Sequence, residues 1–470
     1  MLLGRKRQRL DSVTNQTLET HDTHLKLIPA PSQPTQYTLD EECTPSIHVS
    51  PELHKRFKQR THTRLWSAHH AVKQRSLYGN LKYHQRIIPP VNDLLPKFVS
   101  TVDQIYRFRY DDNDRRSAPI ACDYAKNTRN GVFLAVGDED RKLTILRTDK
   151  DNSVANGHYH RSWVSHTNAV VAVKWSPDDT MIATGSADQF ATIWDAETQA
   201  CLTHFQGHTS SLRSVHWHPT NKHLLVTASK DGTFRIWDTR YKRTEESTET
   251  IEPAPTYHAI RTTTAHNSSK RSGKKVIARS VDPSVTCAMF VPGSEEKIVS
   301  CGSVDGTIKL WDCRTGRDPK AIMESHHSSR GHARGIADLK LDSTGSRLFA
   351  LSLDRSIYMY QLSHLRSQPL HRFQDPTYHN AYFCKLTVSP DDMFVAAASD
   401  NGSIYTWDVL RPHLPATRLQ GHKAFVTGIA WSPSAEQQVA SCSDDGTVRV
   451  WKPRRKDAEA EEITLEQQLQ

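Results

Sequence analysis

Residues 166–195 read HTNAVVAVKWSPDDTMIATGSADQFATIWD, and residues 208–238 read HTSSLRSVHWHPTNKHLLVTASKDGTFRIWD. Both stretches contain a His, an alternating apolar run, a Pro-containing turn, a second alternating run, an Asp in a tight turn and a closing Trp-Asp. Trp194 and Trp237 are 43 residues apart. A period of about 40–45 residues ending in Trp-Asp is typical of a propeller blade. Each copy therefore predicts three strands of a meander, with a fourth strand before the next His.

Five further copies of the pattern extend along the chain. Two strong copies end at Asp312 and Trp451, and two weaker ones carry Tyr360 and Trp407 at the tryptophan position. A degenerate first copy covers 121–146 and has leucine there. Seven copies predict an all-β fold, a seven-bladed WD40 β-propeller.

The recurring His, turn Asp and Trp resemble catalytic groups but are predicted to hydrogen-bond inside each blade. His208, Asp231 and Trp237 are one such set. Buried polar groups need partners, and recurrence in several blades indicates architecture, whereas a catalytic group would be unique to one blade. The sequence shows no unique nucleophile with a base, no phosphate loop and no metal-ligand spacing. We therefore expect no enzyme activity, no cofactor and no metal.

The repeats leave long segments at both ends of the 470-residue chain. The predicted organisation is a disordered basic tail over 1–50, an extension over 51–115, the propeller over 116–452 with a basic loop insertion at about 241–283, and a charged tail over 453–470. In the extension, Phe57, Leu65, Ala68 and Val72 follow one side of a possible helix. That segment either packs on the propeller's own rim or is offered to a partner.

Composition limits the compartment and the partners. Hydrophobic residues are 36% of the chain, and no run of about 18 apolar residues predicts a membrane span. The eight cysteines form no C-x-x-C pair, which favours a reducing compartment and no zinc. Much of the net charge of +9 lies in the tails and the insertion, so direct nucleic-acid binding is not expected. A basic run near the N-terminus is a candidate for nuclear import, with Arg5, Lys6, Arg7 and Arg9.

Two adjacent blades extend Trp-Asp to Trp-Asp-x-Arg, which is the best candidate for a binding site. The residues are Trp237, Asp238 and Arg240 with turn acid Asp231, and Trp311, Asp312 and Arg314 with turn acid Asp305. Because the third strand ends there, both arginines are predicted to emerge on one rim, where guanidinium groups can make bidentate contacts to a partner. The alternative is that each arginine merely pairs with its own Asp.

The Trp-Asp-x-Arg pair resembles the adaptor-docking box of substrate receptors in cullin-RING ubiquitin ligases of the cullin four type. Further segments are similar to the denticleless family of receptors, in the same order and blades. They are NAVVAVKW (168–175), GSVDGTIKLWDCR (302–314), LDSTGSRLF (341–349), SIYMY (356–360), SPDDMF (389–394), TGIAWSPS (427–434) and SCSDDGTVRVW (441–451). The basic insertion, opening with Ala265-His266-Asn267, also lies where that family has one. The similarity covers about 130–451.

This resemblance implies a nuclear, non-catalytic receptor that docks on the large subunit of the damaged-DNA-binding protein. It would bring replication and cell-cycle proteins that carry a degron, bound to the DNA sliding clamp on chromatin, for ubiquitination and degradation. Arg240 and Arg314 would contact the adaptor, and the four aspartates would orient strand and turn. The chain ends about twenty residues after Trp451 and has no Q-x-x-aliphatic-x-x-aromatic-aromatic segment. Direct clamp binding is therefore not expected, and the short form is similar to fungal members.

Two alternatives from other classes stay open. An activator of the anaphase-promoting complex would share the propeller, but it needs a D-R-[FY]-I-P box and a C-terminal Ile-Arg. The nearest segment here is QRIIPP, and the chain ends in Leu-Gln. A generic scaffold or histone-binding propeller would predict a long N-terminal helix and acidic insertions, whereas the insertion here is basic.

Overall fold

The computed structural model describes most of the chain between residues 98 and 453. The described residues are 98–109, 116–127, 131–149, 160–240, 256–257, 259–266, 284–294, 296–314, 321–326, 335–365, 368–433 and 438–453. The N-terminal tail with its candidate import residues, the amphipathic segment of the extension, most of the insertion and the C-terminal tail lie outside them.

Six four-stranded antiparallel meanders and a last three-stranded one follow one another along the chain, which confirms the predicted seven-bladed, all-β propeller. Blades 1 to 4 are Pro119–Tyr124, Phe133–Asp138, Lys142–Arg147 and His160–Val164; Val170–Trp175, Met181–Ser186, Ala191–Asp195 and Cys201–Phe205; Leu212–Trp217, Leu224–Ser229, Thr233–Asp238 and Arg261–Thr264; and Val285–Phe290, Lys297–Gly302, Thr307–Asp312 and Ala321–His326. Blades 5 and 6 are Ile336–Leu341, Arg347–Ser352, Ser356–Gln361 and His371–Phe373; and Leu386–Val388, Phe394–Ala398, Ser403–Asp408 and Thr417–Gln420. Blade 7 has Val426–Trp431, Val439–Ser443 and Thr447–Pro453.

The outer strand of blade 7 comes from residues that precede blade 1. Phe98–Val99 and Ile105–Arg107 both pair antiparallel with Thr447–Pro453. A 3-10 turn, Val102–Gln104, separates them, and a second one, Leu362–His364, follows the third strand of blade 5. The Tyr106 hydroxyl donates a hydrogen bond to the Arg147 carbonyl at 3.2 Å, which links this outer strand to blade 1. Strand pairing between the two ends of the chain therefore closes the ring.

Part of the predicted loop insertion is sheet. Arg261–Thr264 is the outer strand of blade 3 and pairs with Thr233–Asp238. Thr256–Tyr257 pairs in parallel with Cys201–Phe205, the outer strand of blade 2. The prediction of a loop over 241–283 is therefore wrong at these residues. Without Arg261–Thr264, blade 3 would have only three strands. The backbone donors and acceptors along the outer edge of Thr233–Asp238 would then have no strand to pair with.

The first strands of neighbouring blades contact one another in turn, and that of blade 7 contacts that of blade 1, so these strands surround the propeller axis. Apolar side chains fill the spaces between blades, and Trp237, Trp407 and Trp451 are fully buried. The helices in the described part of the chain are too short and too polar to cross a membrane.

Candidate functional site

Four blades contain a buried His–Asp–hydroxyl–Trp network, which we call the staple. In each one, the His Nδ1 lies 2.6 to 3.0 Å from the turn Asp, and its Nε2 lies 2.7 to 2.9 Å from a Thr or Ser hydroxyl that also accepts from the Trp Nε1. The four sets are His166, Asp188, Thr184 and Trp194; His208, Asp231, Thr227 and Trp237; His266, Asp305, Ser300 and Trp311; and His422, Asp445, Ser441 and Trp451. The prediction that these residues hydrogen-bond inside the blades is confirmed.

The hydroxyl at the centre of each staple escaped the sequence analysis, because Thr and Ser alternate at that position without a motif. Blade 6 uses a different arrangement. Tyr378 is buried there with its ring 5.1 Å from the Trp407 ring and perpendicular to it, and its hydroxyl donates to the Ala398 carbonyl. The Trp407 Nε1 makes no hydrogen bond to the described residues. Aromatic packing therefore replaces the polar network in this blade.

The electrostatics of the staple set the charge state of its members. Burial alone would raise the pKa of Asp231, but hydrogen bonds from His208 and Thr233 outweigh it and hold the pKa well below its usual range. Burial lowers the pKa of His208 despite the neighbouring carboxylate. In the blade 3 staple, an ionised Asp231 therefore pairs with a neutral His208 at physiological pH.

Acidification is expected to weaken the fold through His208. The pKa of His208 in the folded protein lies below its unfolded value of about 6.5. Its contribution to the free energy of unfolding is therefore fully present above about pH 6.5 and is lost as the pH falls toward the folded-state pKa. We expect the free energy of unfolding, measured by urea denaturation between about pH 7 and pH 5, to fall less steeply in His208→Gln than in the wild type. Burial raises the pKa of Asp138 to about 6, and this opposing contribution is common to both proteins. Equal slopes would contradict the prediction.

In blades 3 and 4, the two candidate acids lie at opposite ends of the third strand. In blade 3, Asp231 lies in the turn before Thr233–Asp238, whereas Asp238 and Arg240 lie at the strand's end, about 20 Å away. We call the side with Asp231 and Asp305 the histidine face and the side with Arg240 and Arg314 the arginine face. The six charged residues among the eight predicted site residues thus divide between two faces of the propeller.

Four of the eight predicted site residues belong to the staples. Trp237 and Trp311 are buried, with 0% and 5% exposure, and form staples. Asp231 and Asp305 also serve staples, on the face away from the arginines. These four residues therefore support the blades, as the recurrence of the Trp and the turn Asp in every strong repeat indicated.

Arg240 folds back on Asp238. Its Nε lies 2.9 Å from Asp238 Oδ1, its Nη2 lies 2.5 Å from Oδ2, and its backbone N–H donates to Oδ1 at 2.9 Å. The Arg240 side chain is 57% exposed, whereas that of Asp238 is 2% exposed. These hydrogen bonds lower the pKa of Asp238 against the effect of its burial. A buried carboxylate therefore fixes the direction of an exposed guanidinium.

Arg314 repeats this arrangement in blade 4. Its Nη2 lies 2.9 Å from Asp312 and its Nε lies 2.6 Å from Glu296, while its side chain is 61% exposed. The hydrogen bonds from Arg314 hold the pKa of Asp312 at about 2. The Nη1 group makes no hydrogen bond to the described residues. The alternative in which each arginine pairs with its own Asp is thus the structure found, and it leaves both guanidinium groups facing outward.

Blade 6 carries a related pair that the Trp-Asp-x-Arg spacing did not detect. Arg411 lies three residues after Asp408 and approaches it at 2.5 Å, with 42% of its side chain exposed. Blade 1 reverses the order, with Arg147 and then Asp149 in a bidentate pair. Arg–Asp pairs therefore recur at strand ends on the arginine face. Among the described strand ends, the pairing of an Asp with the Arg two residues later occurs only in blades 3 and 4.

Comparison with known proteins agrees with this architecture. The family model "WD domain, G-beta repeat" matches residues 157–195, 199–238, 276–312, 368–408 and 414–452. The staples and these matches define the chain as a WD-repeat β-propeller.

Relatives narrow the class further. The chain is 34% identical to the Denticleless protein homolog of Danio rerio, over 74% of this chain and 53% of that protein. It is 31% identical to the Homo sapiens homolog, over 72% of this chain and 47% of that protein. It is 26% identical to Protein lethal(2)denticleless of Drosophila melanogaster, over 68% of this chain and 42% of that protein. The chain belongs to the denticleless-type WD-repeat proteins, and it spans about half the length of the curated relatives it matches.

Proposed function

We propose that this chain is the substrate-receptor subunit of a cullin-RING ubiquitin ligase of the cullin four type, and that it docks on the large subunit of the damaged-DNA-binding protein. The observation that carries the proposal is the matched pair of carboxylate-held, outward-facing arginines at the ends of adjacent blades. Membership of the denticleless type supports it.

Arg240 and Arg314 are the proposed contact residues, and Asp238 and Asp312 position them. A guanidinium fixed by its own carboxylate loses less side-chain freedom on binding than a free one, and its exposed edge can contact carbonyl or carboxylate groups of the adaptor. Asp231, Asp305, Trp237 and Trp311 act only by keeping the blades rigid. The chain itself would transfer no ubiquitin.

The substrates proposed are replication and cell-cycle proteins that carry a degron, presented on the DNA sliding clamp in the nucleus. With the adaptor on the arginine face, the histidine face and the mouth of the central channel remain available for substrate. A receptor of this kind needs two separate surfaces, and the opposite faces of a propeller supply them.

Affinity between the purified full-length chain and the purified adaptor tests the proposal. We expect a dissociation constant of about 1 µM or tighter in biolayer interferometry, as for a stable protein–protein complex. Addition of the cullin and its RING partner to the complex is expected to yield one assembly in size-exclusion chromatography. Lack of adaptor binding by the folded chain would contradict the proposal.

A further inference from the structure

The centre of the propeller contains a small channel lined by charged side chains. Its cavity of ≈ 50 Å³ is bordered by residues from the first strands of six blades. The charged and titratable members of its lining are Lys174, Arg213, His216, Asp338, Lys340 and Lys385. Small residues such as Ala121, Ala172 and Gly428 complete the wall and leave room beside the charges.

Two of the four cations in the channel are neutralised. Lys174 forms a short ion pair with Asp123, and Lys385 lies 3.5 Å from Asp338. Lys340 makes no ion pair or side-chain hydrogen bond with the described residues. Four cations against two carboxylates leave a charge of +2 when His216 is neutral.

The titration behaviour agrees with this excess. Burial and then Lys174 lower the pKa of Lys340. Burial and then Lys340, Lys174 and Lys385 hold the pKa of His216 well below its usual value, so this imidazole is neutral. Its Nδ1 faces the Ala288 carbonyl at 3.0 Å, and its buried Nε2 has no hydrogen-bond partner among the described residues.

Arg213 extends the positive potential to the mouth of the channel on the histidine face. It is the second residue of its strand, and its guanidinium lies 4.5 Å from the Tyr382 ring centroid and 5.0 Å from that of Phe383. Its Nε is buried without a hydrogen bond to the described residues. The Phe383 side chain, 51% exposed, forms an apolar platform beside this cation.

We propose that the channel mouth on the histidine face binds an acidic peptide segment, and that one of its carboxylate side chains enters the channel between Arg213 and Lys340. The carboxylate supplies the charge that the channel lacks, and the peptide's apolar atoms pack on Phe383. In a partly desolvated channel, the Coulomb attraction between this carboxylate and the cations is stronger than on the open surface.

The channel mouth favours a peptide over a nucleic acid. About 10–15 Å³ of cavity volume is enough to hold one water molecule, so the cavity of ≈ 50 Å³ has room for a carboxylate group. The aromatic pair at the mouth is occupied by Arg213 and does not offer an open stacking platform for successive bases. Binding here is independent of adaptor binding on the arginine face, so the two proposals can fail separately.

Fluorescence anisotropy with the full-length chain and fluorescein-labelled hexaglutamate tests this site, with hexaglutamine and oligo(dT) as comparison probes. We expect hexaglutamate to bind, and Lys340→Met to weaken binding at least about tenfold because one of two unpaired cations is lost. Lys222→Met is the matched control, since this lysine lies outside the channel, is 47% exposed and pairs with Asp178. Its affinity is expected to stay within about twofold of wild type.

Methionine retains the length of the lysine stem and removes an unpaired charge, so Lys340→Met is expected to be at least as stable as wild type to urea. If it does not fold, Arg213→Gln provides the same test at the mouth. Equal affinity of wild type and a folded channel variant for hexaglutamate would overturn the proposal, as would equal binding of hexaglutamine. Tighter binding of oligo(dT) that depends on Lys340 would also overturn it and assign the channel to nucleic acid.

Discussion

Replacing Arg240 and Arg314 together with glutamate is expected to weaken adaptor binding at least about a hundredfold, because loss of each central arginine in an interface costs about 2 kcal/mol or more. The new carboxylates would face Asp238 in blade 3, and Asp312 and Glu296 in blade 4, so the rim would become acidic. Both arginine side chains are more than half exposed, and Asp238 still accepts from the backbone N–H of residue 240, so the propeller itself is expected to remain folded. Biolayer interferometry with the purified adaptor measures the effect.

Arg411→Glu is the matched control for this charge reversal. Arg411 also pairs with the Asp at the end of its third strand and has a similar exposure, but it lies in blade 6. Its replacement is expected to change adaptor affinity by less than about threefold, as for a charge outside the contact area. A double variant of blades 3 and 4 that melts like wild type and binds the adaptor equally would remove the basis of the proposed docking site.

Thr227→Val is expected to lower the free energy of unfolding by about 2–6 kcal/mol, because it leaves two buried donors or acceptors without a partner, each costing about 1–3 kcal/mol. The Thr227 hydroxyl is 2.7 Å from His208 Nε2 and 2.8 Å from Trp237 Nε1. Valine has nearly the same shape, so the effect measures the lost hydrogen bonds rather than a cavity. Urea denaturation followed by tryptophan fluorescence gives the value.

Thr387→Val provides the comparison. Thr387 is 9% exposed and makes no side-chain hydrogen bond to another described residue. We expect its replacement to change stability by less than about 1 kcal/mol. Similar losses in the two variants would show that the staple hydroxyl contributes no more than an ordinary buried threonine.

The number and type of blades could be predicted because each blade repeats the same alternation and turn chemistry. Trp237 and Trp311 marked strand ends correctly, and the ring arrangement then placed Arg240 and Arg314 on one face. The outer strand of blade 3 was missed because 74 residues separate these two tryptophans, which suggested a loop. His266 was the available signal, since a staple His follows within three residues of the outer strand in blades 1, 2 and 6.

Other features depend on contacts that a single sequence does not display. Phe98 pairs with Pro453, and no local pattern connects residues so distant along the chain. The charged residues of the channel come from strands in different blades, so their proximity depends on how those strands are aligned. Arg213 is the second residue of its strand in blade 3, and Lys340 is the fifth residue of its strand in blade 5. The pairing of Arg314 with Glu296 likewise joins a strand end to a turn in the same blade.

Hydrogen–deuterium exchange of the chain with and without the adaptor tests the docking site most directly. Docking through Arg240 and Arg314 predicts slower exchange in the adaptor complex for peptides that cover residues 238–240 and 312–314 on the arginine face. Peptides that cover the turns at 229–233 and 303–307 on the histidine face are predicted to exchange as in the free chain. Protection confined to those turns, or no protection at either arginine in a saturated complex, would contradict docking through Arg240 and Arg314.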